Sequence, residues 1–199
     1  MTRPKPRRDA RPRRENARRN LPTDALLCFL FFLSPQGAKP GEKHFGAGSM
    51  VPQRTDLGAV LYDYNVLGTR GPRKMTGAIP RVDDASGQRA IFRSDNNGKD
   101  GIVDAVRKGQ RDDIIVLRNK SPKWNDQMQA YCLNFNGRVT HASVKNFQLA
   151  DDEDETEEVM LQFGKVGKDL FTMDYRYPMS ALQAFAICLT SFDNKLACE

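Results

Sequence analysis

A chain of 199 residues with 39% hydrophobic and 28% charged side chains has room for one domain and a tail. Its formal charge of +6 is unevenly held: residues 1–20 carry nine Lys/Arg against Asp9 and Glu15, so of 31 bases and 25 acids only 22 and 23 remain for residues 21–199. The basic total hints at nucleic acid, but with a near-neutral body that hint applies only to the arm 1–20.

Residues 1–50 read as a disordered basic leader, because Pro4, Pro6, Pro12, Pro22, Pro35, Pro40 and the Arg run cannot bury enough apolar surface to offset ordering entropy. Inside it, Ala25–Leu33 (ALLCFLFFL) is the strongest apolar block of the chain, yet it is far shorter than the roughly 18–20 residues needed to span a bilayer. It has the length of a signal-peptide core, but the basic stretch before it is long and Ser34–Ala38 makes a poor cleavage site. An interfacial anchor, or a leader foreign to the folded part, are the other readings.

From Leu57 the texture changes to short apolar runs separated by turn residues, the pattern of strands. Leu57–Tyr64, Met75–Ile79, Arg89–Arg93 and Ile114–Leu117 are expected as strands, with one or two helical turns at Ile102–Lys108. Gln129–Phe135 and Arg138–Val144 flank Asn136-Gly137, the pair that supplies the two positive φ angles of a type I′ turn, and so predict a hairpin. Asp151–Glu158 holds seven acids in eight residues and is expected to be a solvated loop. Val159–Phe163 and Leu170–Tyr177 complete the strands.

The last element is a helix over Ser180–Phe192. Ser180 and Gln183 have the spacing of a capping box, and no charge follows until Asp193. Leu182, Phe185, Leu189 and Phe192 fall on one face, with Gln183, Thr190, Ser191 and Ile187 opposite. A helix with no charge to show to water is expected to be buried, and its length of roughly 20 Å is too short to cross a membrane. The fold class is therefore mainly β with one terminal helix (α+β), a barrel or curved sheet wrapped around that helix.

Motifs of hydrolases, metalloproteases and nucleotide-binding loops are missing, and no enzyme activity or cofactor is expected. Cys28, Cys132, Cys188 and Cys198 show no C-x-x-C spacing, which argues against a zinc site and a disulfide framework and for a reducing compartment. Asn119-Lys-Ser121 has the form of a glycosylation sequon, which matters only in a secreted chain. His44 lies in the leader, and His141 lies in a hairpin arm where a structural role is expected. Asp95–Asp100 lacks the acid spacing of a calcium loop and is read as a turn. Trp124 is expected to be a packing anchor. The loop Gly68–Lys74 (GTRGPRK) concentrates Arg70, Arg73 and Lys74 among two glycines and a proline. Backbone N–H groups and cations could converge there on an anion, although solvated bases on a bend are the simpler reading.

Several longer stretches carry a family likeness. Asn65–Met75 (NVLGTRGPRKM), Asn119–Asn125 (NKSPKWN), Leu133–Thr140 (LNFNGRVT), Ala142–Phe147 (ASVKNF) and the end from Asp169 to Glu199 resemble the C-terminal domain of the tubby and tubby-like protein family, over Arg54–Glu199. The resemblance implies a closed antiparallel β-barrel threaded by a hydrophobic C-terminal helix, of which residues 54–199 form the later part. It further implies a non-enzymatic adaptor that binds phosphoinositide headgroups, phosphatidylinositol 4,5-bisphosphate above all, at the inner membrane surface. Protein cargo and roles in membrane and ciliary trafficking go with that expectation.

The family's main pair of headgroup bases falls on strands that would precede Arg54. Arg54 sits where a further family arginine near the lipid aligns, and Arg73 and Lys74 match the family pattern. These three are the expected phosphoinositide-binding residues, with no metal site. The expected location is cytoplasmic and peripheral to the plasma membrane, with cilium or nucleus as further places, and the chain is expected to be a monomer. The rival reading is a nucleic-acid-associated or transcription-related protein acting through residues 1–20.

Overall fold

The computed structural model describes residues 27–33, 54–63, 74–95, 99–127 and 129–193, the first of these by backbone alone. In chain order the elements are β1 (Leu27–Leu33), β2 (Thr55–Tyr62), β3 (Met75–Pro80), α1 (Ile102–Arg107), β4 (Ile114–Asn119), β5 (Lys123–Asn125), β6 (Ala130–Cys132), β7 (Phe147–Asp151), β8 (Val159–Lys165), β9 (Phe171–Tyr175) and α2 (Ala181–Thr190). Seven strands form one antiparallel sheet in the order β1-β2-β3-β4-β7-β8-β9, and β5 pairs with β6 apart from it. The sheet is a half-barrel with α2 against it, so the mainly β, α+β expectation stands.

The central strands read as unbroken apolar runs because both of their faces are covered. Val60, Tyr62, Met75, Ile79, Ile115, Leu117, Leu149, Leu161 and Phe163 form the face that packs with Ala184, Ile187 and Cys188 of α2. Ala59, Leu61, Ala78, Ile114 and Val116 point the other way, under Ile102, Ala105 and Val106 of α1. Successive side chains of a strand alternate between faces, which is how two adjacent residues such as Val60 and Leu61 serve different cores.

Helix α1 is only six residues long and is fixed at its start by β2. The carboxylate of Asp56, 2% exposed, accepts the Ile102 N–H at 3.1 Å and the Ser94 hydroxyl at 2.8 Å. Helix α2 begins with the expected capping box: Ser180 Oγ accepts Gln183 N–H at 3.3 Å, and Gln183 Oε1 accepts Ser180 N–H at 2.9 Å. It runs along β2, since Gln183 Nε2 donates to Leu57 O at 2.7 Å and Thr190 Oγ1 meets the Tyr62 hydroxyl at 2.7 Å.

Several expectations are corrected. The face of α2 that is buried is Gln183, Ala184, Ile187, Cys188 and Thr190. Leu182, Phe185, Leu189 and Phe192 are 52, 54, 51 and 42% exposed, so the helix is buried on one side only. The half-barrel offers a wall to one face, and Gln183 and Thr190 settle on it because each finds a hydrogen-bond partner in β2.

Asn136 and Gly137 do adopt positive φ (51° and 74°), and Arg138 N–H donates to Phe135 O at 2.9 Å, the type I′ turn expected. The arms nevertheless do not pair with each other: β6 pairs with β5, and residues 138–146 cross to the end of β8, where Thr140 and His141 N–H both donate to Lys165 O. Arg89–Arg93 makes only isolated bridges, through Arg89 and Phe92, and β7 occupies a stretch for which no strand is expected. Trp124 is 50% exposed, its indole N–H donating to Asp126 Oδ1 at 2.9 Å, and does not anchor a core.

Leu27–Leu33, expected inside the leader, lies as β1 along β2 with a bulge between Phe31 and Phe32. An apolar run without charges suits a strand against the sheet's edge better than a solvated tail. The basic arm 1–20 and His44 lie outside the described residues. No helix among the described residues is long and apolar enough to cross a membrane.

Candidate functional site

The expected cations sit at opposite ends of the sheet. Arg54 is exposed and immediately precedes β2. Lys74, also exposed, immediately precedes β3, and its carbonyl accepts Asp63 N–H at 3.1 Å, level with the far end of β2. Nine residues of extended strand separate the two levels, about 30 Å at roughly 3.3 Å per residue. A single small anion cannot touch both. Arg70 and Arg73 lie outside the described residues.

At the Lys74 end the sheet gathers further bases. Thr76 pairs with Arg118, and Met75 N–H donates to Asn119 Oδ1 at 2.7 Å, so Lys120 is brought next to Lys74 in register. That use of the Asn119 side chain also ties the sequon asparagine into the strand pair. Arg118 and Arg111 already have an acid beside them, and Lys120 a main-chain carbonyl. Arg118 Nε is 2.6 Å from Asp152 Oδ1, Arg111 Nη2 donates to Asp152 Oδ2 at 3.3 Å, and Lys120 Nζ donates to Glu157 O at 2.7 Å.

The acidic loop that supplies them is exposed, as expected, but it is built rather than loose. Asp154 accepts Thr156 Oγ1 at 2.7 Å and the N–H groups of Thr156 and Glu158 at 2.9 and 3.2 Å. The Thr156 hydroxyl, then its N–H, hold the Asp154 carboxyl below the usual carboxylate range. Glu153 faces Arg81 at 3.1 Å and Glu158 faces Arg176. Between these pairs lies an open cleft of about 560 Å³ whose walls include Arg81, Asp84, Asp151, Arg176 and Tyr177. Because its two arginines are matched by acids, the cleft has no surplus positive charge with which to select an anion.

The Arg54 end holds a second arginine that the sequence does not flag. The antiparallel bridge Asp56↔Phe92, with Asp56 N–H donating to Phe92 O at 2.9 Å, sets Arg93 opposite Thr55 and hence one residue from Arg54. Arg93 is exposed. Nothing in Ile91-Phe92-Arg93-Ser94 marks it, since the proximity is made by an isolated bridge across 36 residues of chain. Two exposed arginines therefore lie at one sheet end, and each guanidinium can offer planar donors to a phosphate.

The remaining chemistry-bearing side chains are structural. His141 is exposed, with Nδ1 2.9 Å from Thr140 Oγ1 and its carbonyl accepting Asn146 Nδ2 at 2.9 Å. Cys188 is buried on the inner face of α2, and burial pushes its thiol up to about 12. Cys132 is half-buried. Asp95 Oδ1 accepts Lys99 N–H at 2.7 Å. Among the described residues no group of three or more His, Cys, Asp or Glu is placed to hold a metal.

Comparison with known proteins assigns this arrangement to a family. A family model described as "Tub family" matches residues 32–194, and so takes in the end of β1 as well as every element from β2 to α2. Protein king tubby 2 of Culex quinquefasciatus is 50% identical over 149 residues, 75% of this chain and 35% of that protein. Protein king tubby of Drosophila pseudoobscura pseudoobscura is 51% identical over 146 residues, 73% of this chain and 32% of that protein. The chain thus spans about a third of the length of the curated relatives it matches. On the family match and on identity at this level over three-quarters of its length, the chain belongs to the Tub family.

Proposed function

We propose that this chain is a phosphoinositide-binding module, selective for phosphatidylinositol 4,5-bisphosphate, that acts as a non-enzymatic adaptor between the inner membrane surface and protein cargo in membrane and ciliary trafficking. The observation that carries the reading is that the bridge Asp56↔Phe92 sets two exposed arginines, Arg54 and Arg93, at the start of β2 in a Tub-family fold. Arg54 occupies the position that the family resemblance connects with the lipid, and Arg93 lies one residue away in register. Lys74 belongs to the other end of the strand pair, so in this reading it does not share a headgroup with Arg54. Its role is a second contact with the anionic surface or support of the chain that leads into β3.

Flotation of the full chain with vesicles of neutral lipid, of phosphatidylserine, and of phosphatidylinositol 4,5-bisphosphate at matched charge tests the reading. Charge-assisted hydrogen bonds contribute about 1.5–3 kcal/mol each, so Arg54→Ala and Arg93→Ala are each expected to weaken binding to the bisphosphate vesicles about tenfold or more. Lys74→Ala is expected to change it less. Equal binding to phosphatidylserine and bisphosphate vesicles of equal charge would remove the lipid specificity, and loss on deleting residues 1–20 alone would move the activity to the basic arm.

A further inference from the structure

We infer that residues 151–158 are a latch: they cover a basic face of the sheet with the chain's own carboxylates, and that face binds an anionic lipid surface when the loop swings away. Its lipid partner rests on the membrane reading above, whereas the covered face does not. Five bases from four stretches of chain meet the loop. Arg111 Nη2 and Arg118 Nε lie 3.3 and 2.6 Å from the two carboxylate oxygens of Asp152. Arg81 Nη2 is 3.1 Å from Glu153 Oε2, Arg176 pairs with Glu158, and Lys120 Nζ donates to Glu157 O at 2.7 Å. An oxygen of the loop thus stands at each base where a headgroup oxygen would stand.

The face is independent of the open side of the half-barrel. Arg118 follows Val116 by two residues and so projects on the α1 side of the sheet, away from α2. Arg81 and Arg176 follow β3 and β9 in the order β3-β4-β7-β8-β9, four strand spacings or about 20 Å apart. Charges spread so widely suit a surface of many headgroups rather than one small anion. Three residues beyond the pair Ala59↔Ala78, β2 has reached Asp56 and the chain after β3 has reached Arg81. The face therefore begins at the end of the sheet that holds Arg54 and Arg93.

Charge and conformation give the latch its two states. With the loop down, seven acids meet five bases and the face repels anions. With it away, the five bases stand against Asp84, Asp112 and Asp113, and the sign reverses. The covering form also fits imperfectly. Glu157 has φ 51°, in the left-handed region that a residue with a Cβ seldom adopts. Arg111 Nη1 is buried with no hydrogen-bond acceptor among the described residues. Ion pairs at a surface hold weakly, and they yield to competing charge.

Flotation of the full 199-residue chain with phosphatidylserine vesicles free of phosphoinositide tests the latch apart from headgroup selectivity. Asp152→Asn/Glu153→Gln/Glu158→Gln keeps the shapes and removes the charges that hold the bases, and is expected to raise binding about tenfold or more. Asp100→Asn/Asp126→Asn/Asp169→Asn changes the net charge equally, at exposed side chains that pair with none of the five bases, and is expected to raise it about threefold at most. Adding Arg118→Gln/Lys120→Gln to the first variant should abolish its gain, whereas adding Lys108→Gln/Lys168→Gln should leave most of it. Hydrogen exchange of the unaltered chain gives a reading that needs no variant. The Thr156 and Glu158 amides, held by Asp154, should exchange about tenfold faster or more once the chain is on vesicles. No gain in the first variant, or equal gains in the two triple variants, overturns the inference. So does a gain that survives Arg118→Gln/Lys120→Gln, or exchange that vesicles leave unchanged. Loss of bisphosphate selectivity with the tenfold gain intact would remove the proposed headgroup site and leave the latch standing.

Discussion

The hydroxyls of Tyr62 and Thr190 meet at 2.7 Å across 128 residues of sequence, fastening the last turn of α2 to the end of β2. Thr190 Oγ1 donates its own proton to Ile187 O at 2.7 Å, so in the contact with Tyr62 it is the acceptor and the phenol is the donor. Tyr62→Phe removes that donor and keeps the ring, which is 2% exposed. The expected cost is about 1–2 kcal/mol, seen as a lower urea midpoint with an unchanged slope.

Asp56 holds α1 to the sheet from a buried position. Asp56→Ala would leave the Ile102 N–H without the carboxylate and Ser94 without its acceptor, at an expected cost of about 1–3 kcal/mol. Hydrogen exchange should locate the loss, with the α1 amides exchanging much faster while those of β7 and β8 change only with global stability.

Val139 lies so close to Gly164 that a Cβ on the glycine would stand 2.1 Å from Val139 Cγ2 and 2.8 Å from Cγ1. Gly164→Ala is therefore expected to lift the 138–141 segment off β8 and to destabilise by about 1–3 kcal/mol. Val139→Ala in the same chain should return much of that loss, and thermal melts of the four chains of the cycle would show the coupling.

Acid should loosen the same segment. Arg138 Nε and Nη2 donate to the two oxygens of Asp174 at 3.0 and 2.8 Å, and this pairing holds the Asp174 carboxyl below its ordinary 3.8. A carboxyl lowered in the folded state adds stability that is present above pH 3.8 and is lost as pH falls from there through the folded value. Both side chains are well exposed, so the contribution is small, under about 1 kcal/mol. The stability gap between the parent and Arg138→Met, measured by denaturant titration, should be open at pH 6 and closed by about pH 2.

Cys188 should be chemically silent in the folded chain. Its thiol is 3% exposed and its pKa is raised to about 12 by burial, so almost no thiolate is present at pH 8. Peptide mapping after iodoacetamide is expected to show Cys132 labelled well before Cys188, and the two equalised in urea.

Where sequence reasoning succeeded, the determining physics was local. The Asn136-Gly137 turn, the Ser180/Gln183 capping box and the short helix at Ile102 each depend on residues three or four apart, and each formed. The arms of the Asn136-Gly137 turn part because tertiary contacts outweigh that local physics. A type I′ turn fixes how the chain reverses, but residues 138–146 find better partners in Lys165, Asp174 and the space beside Gly164 than in the arm they leave. Gln148 and Gln162 were equally illegible. Two glutamines in apolar strands look like solvent-facing positions, yet they are 2 and 7% exposed and bond to each other at 2.6 Å, with Gln148 Nε2 also donating to Asn134 O at 2.9 Å.

The helix segment Ser180–Phe192 shows the same division. Its sequence by itself determined that it is helical, where it is capped, and that it carries no charge, because these follow from spacing and residue type. Which side of it is buried was decided only by tertiary structure: Leu57 O and the Tyr62 hydroxyl bind Gln183 and Thr190, and those bonds turn Phe185 and Leu189 outward. The site divides likewise. Sequence supplied Arg54 and Lys74 as cations and the family to which they belong. Only the antiparallel register of β2 and β3 placed them at opposite ends, and only the bridge at Asp56 brought Arg93 to Arg54. Periodicity and capping act over a few residues, whereas register between strands is set by contacts that the order of residues does not display.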